Sequence, residues 1–379
     1  MEKFDWPLFS KAESFLQAQV DMFLNKSKAA STFADEIQQK TSTKIFDWID
    51  HLVIPAEKAD ISDLLKLGFH ESKIMEGAKI LRVEDSVLFP VILKSDRASE
   101  LAIKVDDIDA FRKVYAKQKN IQGQPNAGFR KIELSSESGF LFSAIERRGS
   151  SGFSVEDNDD IDTYVEAFEA LRSRKRTFIL STEGLLETEK LLKNYVKKIG
   201  EKRLADAFFR SERLYWESRN RAGTIQKSRQ DKVGVGWGNV DHHTFRSSRI
   251  NFAALIRIFE LLGLKPRERF HAGAQAGWGA QILEDEDGRN VVFADVDLSE
   301  EEKEEDFAHK GLEPREQLGT VGLWVALHGE SILEAGIHHL AARFRFDDLR
   351  ADLNELGVGM MKAFSNFPFL KQAFTEPEK

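Results

Sequence analysis

Trp48-Ile49-Asp50-His51-Leu52-Val53-Ile54, Asn239-Val240-Asp241-His242-His243-Thr244-Phe245-Arg246 and Gly336-Ile337-His338-His339-Leu340-Ala341-Ala342-Arg343 are versions of one phrase. In each, an apolar and a polar residue lead into histidine at the head of a strand. Each is followed by a helical pattern that ends in a Gly turn, at Leu67-Gly68-Phe69, Leu262-Gly263-Leu264 and Leu356-Gly357-Val358. A strand that opens with histidine inside a repeated unit is one way to gather metal ligands from distant parts of a chain. The recurrence therefore points first to a metal-centred site.

Working outward from these phrases, residues 49–54 read as a strand, 61–67 as a short helix after the turn at Pro55, and 78–83 with 86–93 as a hairpin about Glu84-Asp85. The rhythm then restarts, with a strand over 101–105, a helix over 108–116 and strands over 129–134 and 140–145. Two successive β-α-β-β-β units thus occupy about 48–95 and 99–150. A third opens at Val240, with a strand to Arg246, a helix over 252–262 and strands over 267–271, 278–283 and 291–298. The apolar stretch 318–333 reads as helix, and the His338-His339 strand with a helix over 349–356 opens a fourth, shorter unit.

Residues 1 to about 45 form a helical arm, with Phe15, Val20, Phe23 and Leu24 at helical spacing. From Asp159 to about Arg229 a charged helical segment carries an apolar stripe that includes Leu185, Leu192, Leu204 and Phe208. The chain divides accordingly into a helical arm (1–45), paired β-α-β-β-β units (46–155), a helical connector (156–232) and a second pair (233–379). The fold class is α+β. The glycines of Gly234-Val235-Gly236-Trp237-Gly238 precede a strand rather than a helix, so they serve tight turns or close backbone approach, not phosphate binding.

Composition narrows the functions. The 379 residues suffice for two or three domains, and 41% hydrophobic with 31% charged residues is the balance of a globular protein. With no cysteine, disulfides, thiolate catalysis and iron–sulfur clusters are excluded, and any metal must rest on His and carboxylates. A formal net charge of -8 argues against nucleic acid as a partner. No apolar run reaches the length of a membrane helix, and Met1-Glu2-Lys3-Phe4-Asp5-Trp6 lacks the order of a signal peptide, so the expected location is cytoplasmic, with no membrane partner. The basic run Arg172-Ser173-Arg174-Lys175-Arg176 and the acidic run 300–306 are expected as solvated faces or turns. The Arg-rich stretch 208–229 is expected as a solvated helix with alternating Glu and Arg.

The repeated units resemble the paired β-α-β-β-β modules of the vicinal oxygen chelate superfamily, which includes glyoxalase I, extradiol dioxygenases and 4-hydroxyphenylpyruvate dioxygenase. The resemblance covers about 48–150 and 238–358. It implies that two modules close into a cup, with metal ligands from the first strand of each and from a last strand. The N-terminal pair is similar to the catalytic half of 4-hydroxyphenylpyruvate dioxygenase. There the resemblance places His51 at the first ligand, Glu100 at the second and Ser143 at the third, where that family has Glu. Glu146, three residues on, should face away from Ser143's side. One ligand in three marks this cup as degenerate, with a structural or ligand-shaping role.

The C-terminal pair resembles the 2-oxoadipate dioxygenase/decarboxylase family, whose members carry His-x-x-x-Arg on the first strand of each module. The pattern stands here as His242-His243-Thr244-Phe245-Arg246 and His339-Leu340-Ala341-Ala342-Arg343. Alternation puts His242, Thr244 and Arg246 on one face, and His339, Ala341 and Arg343 on one face. Two imidazoles and one carboxylate make the facial triad that holds Fe(II) with positions open for a 2-oxo acid and dioxygen. A guanidinium nearby can clamp a substrate carboxylate.

The resemblance thus implies a divalent metal, Fe(II), on His242 and His339, with Arg246 and Arg343 as catalytic-site residues orienting a small carboxylate substrate. The third ligand is open among Asp295, Asp297, Glu284 and Glu330. The expected activity is a non-haem iron dioxygenase or decarboxylase of a 2-oxo or hydroxy acid. The alternatives are a metal-dependent glyoxalase-like lyase or isomerase and a metal-free small-ligand binding protein.

Overall fold

The computed structural model of the protein describes residues 9–336, apart from positions 42, 76, 84, 85, 87, 96, 97, 156–159, 220, 240, 241 and 286–289, together with residue 355. The arm is two helices, α1 (Ser10–Lys26) and α2 (Lys28–Thr41), with Leu16, Val20, Phe23, Phe33 and Ile37 buried along one stripe. The first module runs β1 (Ile49–Pro55), α3 (Ile61–Lys66), β2 (Phe69–Met75), β3 (Ala78–Val83) and β4 (Val91–Lys94). The second repeats it as β5 (Ser99–Val105), α4 (Ile108–Tyr115), β6 (Ile121–Gln122), β7 (Phe129–Glu137) and β8 (Phe140–Arg147). Both module helices start where an Asp side chain accepts from the first free amides: Asp60 from Ser62, and Asp107 from Asp109 and Ala110.

These strands form one sheet in the order β2-β3-β4-β1-β5-β8-β7-β6. Within each module the first and last strands are parallel, β1 with β4 and β5 with β8, and the modules meet antiparallel along β1 and β5. This is the paired-module arrangement read from the sequence. One face carries Leu52, Ile54, Leu101, Ile103, Phe142 and Ala144 into a core shared with α1, α2 and α4. Edge-on ring contacts fasten the arm there, Phe23 to Phe140 at 5.4 Å and Phe33 to Phe111 at 6.0 Å.

Next come α5 (Ile161–Ser173), α6 (Ser181–Glu217), broken at Gly200, and α7 (Arg221–Lys232). The third module is β9 (His242–Arg246), α8 (Phe252–Leu261), β10 (Lys265–His271), β11 (Trp278–Glu284) and β12 (Val291–Asp297), in the sheet order β10-β11-β12-β9. β9 and β12 are parallel, as in the other modules. After it stand the short α9 (Phe307–Lys310) and α10 (Thr320–His328). The connector does more than span: Tyr164, Phe168, Leu192, Leu204 and Phe208 share one core with Phe245, Leu255, Phe259, Val292 and Ala294. The fourth unit, with the His339 strand, lies outside the described residues. No helix among the described residues is long and apolar enough to cross a membrane.

The solvated reading of two charged stretches is corrected, for in the Arg-rich stretch 208–229 Phe208, Ser211, Glu212 and Trp216 are buried. The basic run does not end in a solvated turn, because Arg174 and Arg176 are buried against α6, where the Glu212 carboxylate takes both at 2.7 and 2.6 Å. Arg174 and Arg176 also donate to the Ile332 carbonyl. A fully buried carboxylate requires such partners, and a charge count along the chain does not reveal one inward-facing Glu.

Candidate functional site

On β1 the pairing slips between Ile49 and His51. This bulge turns Asp50 to the same face as His51, where strict alternation would separate them. Asp50 Oδ1 lies 2.6 Å from His51 Nδ1, and the Arg147 guanidinium grips both Asp50 oxygens at 2.6 and 2.7 Å. Burial pushes the Asp50 carboxyl up, but Arg147 and His51 outweigh it and hold it well below its ordinary value.

Beside this group Glu100 accepts from Ser143 Oγ and from Lys131 Nζ, the latter at 2.5 Å. Burial again opposes ionisation of Glu100, and His51 and Lys131 overcome it. The face is covered from the chain that follows β8: Phe153 packs on Val53, Ile80 and Ile92, and edge-on to His51 at 5.0 Å, while Val155 packs on Ala102, Phe129 and Ile145.

The resemblance implies a metal in such a cup, and these residues do not fit one. Ser143 stands at the third position and is bonded to Glu100, and the Lys131 ammonium already supplies Glu100 with a cation, so His51 is left without a second free ligand. Glu146 faces the other side, as alternation requires, accepting from the Ile108 amide at 2.8 Å and from Arg130 at 3.2 Å. The sequence marked none of Lys131, Arg147 and Phe153 as site residues. Parity along β7 and β8 would have put Lys131 and Arg147 on this face once the strands were paired.

In the third module the four acidic candidates separate by what they already hold. Asp297 accepts from the amides of Gly319 at 2.7 Å and Val321 at 2.9 Å, so it anchors the start of α10, where the helix dipole favours an anion. Glu330 accepts from the Ser248 amide at 3.1 Å and Asn251 Nδ2 at 2.8 Å. Glu284 is bonded to Arg267, and burial raises its carboxyl against that guanidinium.

Asp295 differs. Its carboxyl accepts no hydrogen bond among the described residues, and its nearest ionic partner is Arg246 Nε at 3.7 Å. Burial pushes its pKa up to about 7, with Arg246 pulling only partly back. The Arg246 guanidinium makes no hydrogen bond among the described residues, lies 4.6 Å from the Trp324 ring centroid and keeps 32% of its side chain exposed. Trp324 is presented by α10, the helix that Asp297 anchors. No sequence signal marked Trp324, because its place depends on where α10 docks.

Register fixes how these groups stand to His242. Asp295 pairs with Arg246, and His242 with Val291, which in turn pairs with Glu284. The two rows are four residues apart, about 13 Å along the strands. Asp295 therefore belongs with Arg246, and Glu284 shares the row of His242. The side chain of His242 and all of His339 and Arg343 lie outside the described residues. Among the described residues no three His, Asp or Glu groups converge as a metal site.

No family model matches the chain, and no curated protein matches it. Among solved structures, a Mn(II)-bound glyoxalase from Novosphingobium aromaticivorans is similar at 12% identity over 73% of this chain and 92% of its own, with a TM-score of 0.21. A methylmalonyl-CoA epimerase from Mycobacterium tuberculosis is similar at 18% identity over 28% of this chain and 91% of its own, with a TM-score of 0.20. A glyoxalase/bleomycin resistance protein/dioxygenase superfamily member from Vibrio splendidus 12B01 is similar at 12% identity over 25% of this chain and 95% of its own, at a TM-score of 0.20. Likenesses this slight carry no argument, and the fold above stands on its own strand order.

Proposed function

We propose that the third module binds a small 2-oxo or hydroxy carboxylic acid and acts on it with a divalent metal, as a dioxygenase or decarboxylase. The observation that carries this reading is the Arg246–Asp295 pair: a guanidinium with unused donors beneath an indole, beside a carboxyl lifted to about 7. Arg246 takes the substrate carboxylate in two parallel hydrogen bonds, as guanidinium groups do. Asp295, titrating near neutral pH, gives or takes a proton at the bound acid.

His242 and His339 would hold the metal, and Glu284 is the acidic candidate that register puts in the row of His242. A divalent ion held there would supply Lewis-acid polarisation of the 2-oxo group, and Fe(II) would add reactivity toward dioxygen. The near-neutral Asp295 also favours a second reading, a glyoxalase-like lyase or isomerase in which proton transfer is the chemistry and no oxygen is consumed.

Calorimetric titration of pyruvate and 2-oxoglutarate into the Fe(II)-supplemented protein tests the proposal. At least one acid should bind saturably, and Arg246→Ala should weaken it about tenfold or more. Binding unchanged by Arg246→Ala would remove the site. Oxygen uptake with the bound acid supports the first reading, and turnover without uptake supports the second.

A further inference from the structure

A cavity of about 150 Å³ lies where the ends of β5 and β8, the second half of α6 and the start of the third module meet. That volume suits a compact molecule about the size of benzene, and slightly more where one side is open. Its walls include the rings of Trp237 and Phe209 and the side chain of Leu262.

Two opposite charges line it without satisfying each other. Arg213, on α6, makes no hydrogen bond and no ion pair among the described residues. The Asp106 carboxylate, just past β5, likewise accepts no hydrogen bond and forms no ion pair there. Both residues line the cavity. Asp106 is fixed from its backbone, since its amide donates to the Val235 carbonyl at 3.0 Å and its carbonyl accepts from Arg148. Gly236 makes room for its side chain, because a Cβ there would stand 2.7 Å from Asp106 Cβ. A third feature is Arg148 itself, which lines the same space with a buried Nε that has no partner.

Burial opposes ionisation of Asp106, but Arg213, Arg148 and more distant cations outweigh it and keep the carboxyl below its ordinary value. The group is thus an anion on the wall of a cavity that Arg213 also lines.

We propose that this cavity is a binding site for a small zwitterion, an α-amino acid with a compact apolar side chain, whose carboxylate is taken by Arg213 and whose ammonium is taken by Asp106. The ligand completes both charges at once, and the apolar body rests on the walls formed by Trp237 and Leu262. A simple carboxylate satisfies only Arg213 and leaves the half-buried Asp106 beside an apolar group. A simple amine does the reverse. Discrimination by such a site follows from the half-buried group left unpaired, which is a source of selectivity for polar ligands.

The test is calorimetric titration of the full chain with L-valine, with 3-methylbutanoate, which lacks the ammonium, and with isobutylamine, which lacks the carboxylate. Valine should bind saturably, and each truncated analogue at least about tenfold more weakly. Arg213→Ala and Asp106→Asn should each weaken valine by a similar factor, with circular dichroism showing the fold retained. Arg246→Ala, in the other site, should leave valine binding unchanged.

Failure of valine to bind by about 10 mM, weaker than two charge-assisted contacts imply, overturns the proposal. So does equal binding of all three compounds by the unmodified protein, a result that no misfolded variant can cause. Loss of valine binding in Arg246→Ala with none in Arg213→Ala would move the ligand to the third module instead.

Discussion

Asp295 is a residue whose state departs far from what its type dictates in water. Its folded pKa of about 7 lies above the ordinary 3.8. Between those values the folded chain holds a proton that the unfolded chain has released, so stability falls as pH rises through this window and the full cost stands above about 7. Asp295→Asn removes the charge while keeping the shape. Urea unfolding should therefore show the variant gaining stability over the parent as pH rises, by roughly 2–4 kcal/mol at pH 8 and far less near pH 4. A gain that is the same at both pH values would mean that Asp295 is not desolvated as described.

The sequence marked Asp295 as one of four acidic candidates but did not rank them. What ranks them is the set of donors around each, supplied by residues remote in sequence, such as Gly319 for Asp297 and Ser248 for Glu330.

The module rhythm was legible wherever alternation or helical spacing ran unbroken, as over 101–105 and 252–262. It was not legible at β2, where Phe69-His70-Glu71-Ser72-Lys73 contains a register shift between Glu71 and Lys73 that breaks the period of two. The strand expected over 86–93 is shorter, beginning only at Val91, because Pro90 has no amide to give a ladder and instead offers its carbonyl to the Leu52 amide at 3.1 Å.

Glycine settles how the elements seat on each other. Gly149, with φ 73°, lies where an added Cβ would strike the Lys202 carbonyl on α6. Neither backbone can yield without separating β8 from α6. Gly149→Ala should cost about 2–4 kcal/mol, from left-handed strain plus overpacking, and lower the melting temperature accordingly. A change within about 0.5 kcal/mol would show that the contact is loose.

At the scale of the molecule, repetition of one module has produced two different faces. The N-terminal pair fills its face with an ionic cluster and the rings and methyls that follow β8, so Lys131 and Phe153 stand where the resemblance implied an open metal cup. The third module keeps a guanidinium and a carboxyl short of partners. That difference was partly legible, since Ser143 replaces an expected ligand and His-x-x-x-Arg marks the later strand. The plug was not, because it depends on the chain turning back over its own sheet after Gly149.

The central claim is that Arg246 and Asp295 work as one carboxylate-binding, proton-carrying unit, and the pH dependence of 2-oxoglutarate binding tests it most directly. When Asp295 ionises it competes for Arg246, so affinity should fall about tenfold as pH rises from about 5.5 to 8.5, with a midpoint near 7, and the dependence should vanish in Asp295→Asn. An affinity that stays flat across that range, or that falls equally in the variant, would contradict the account.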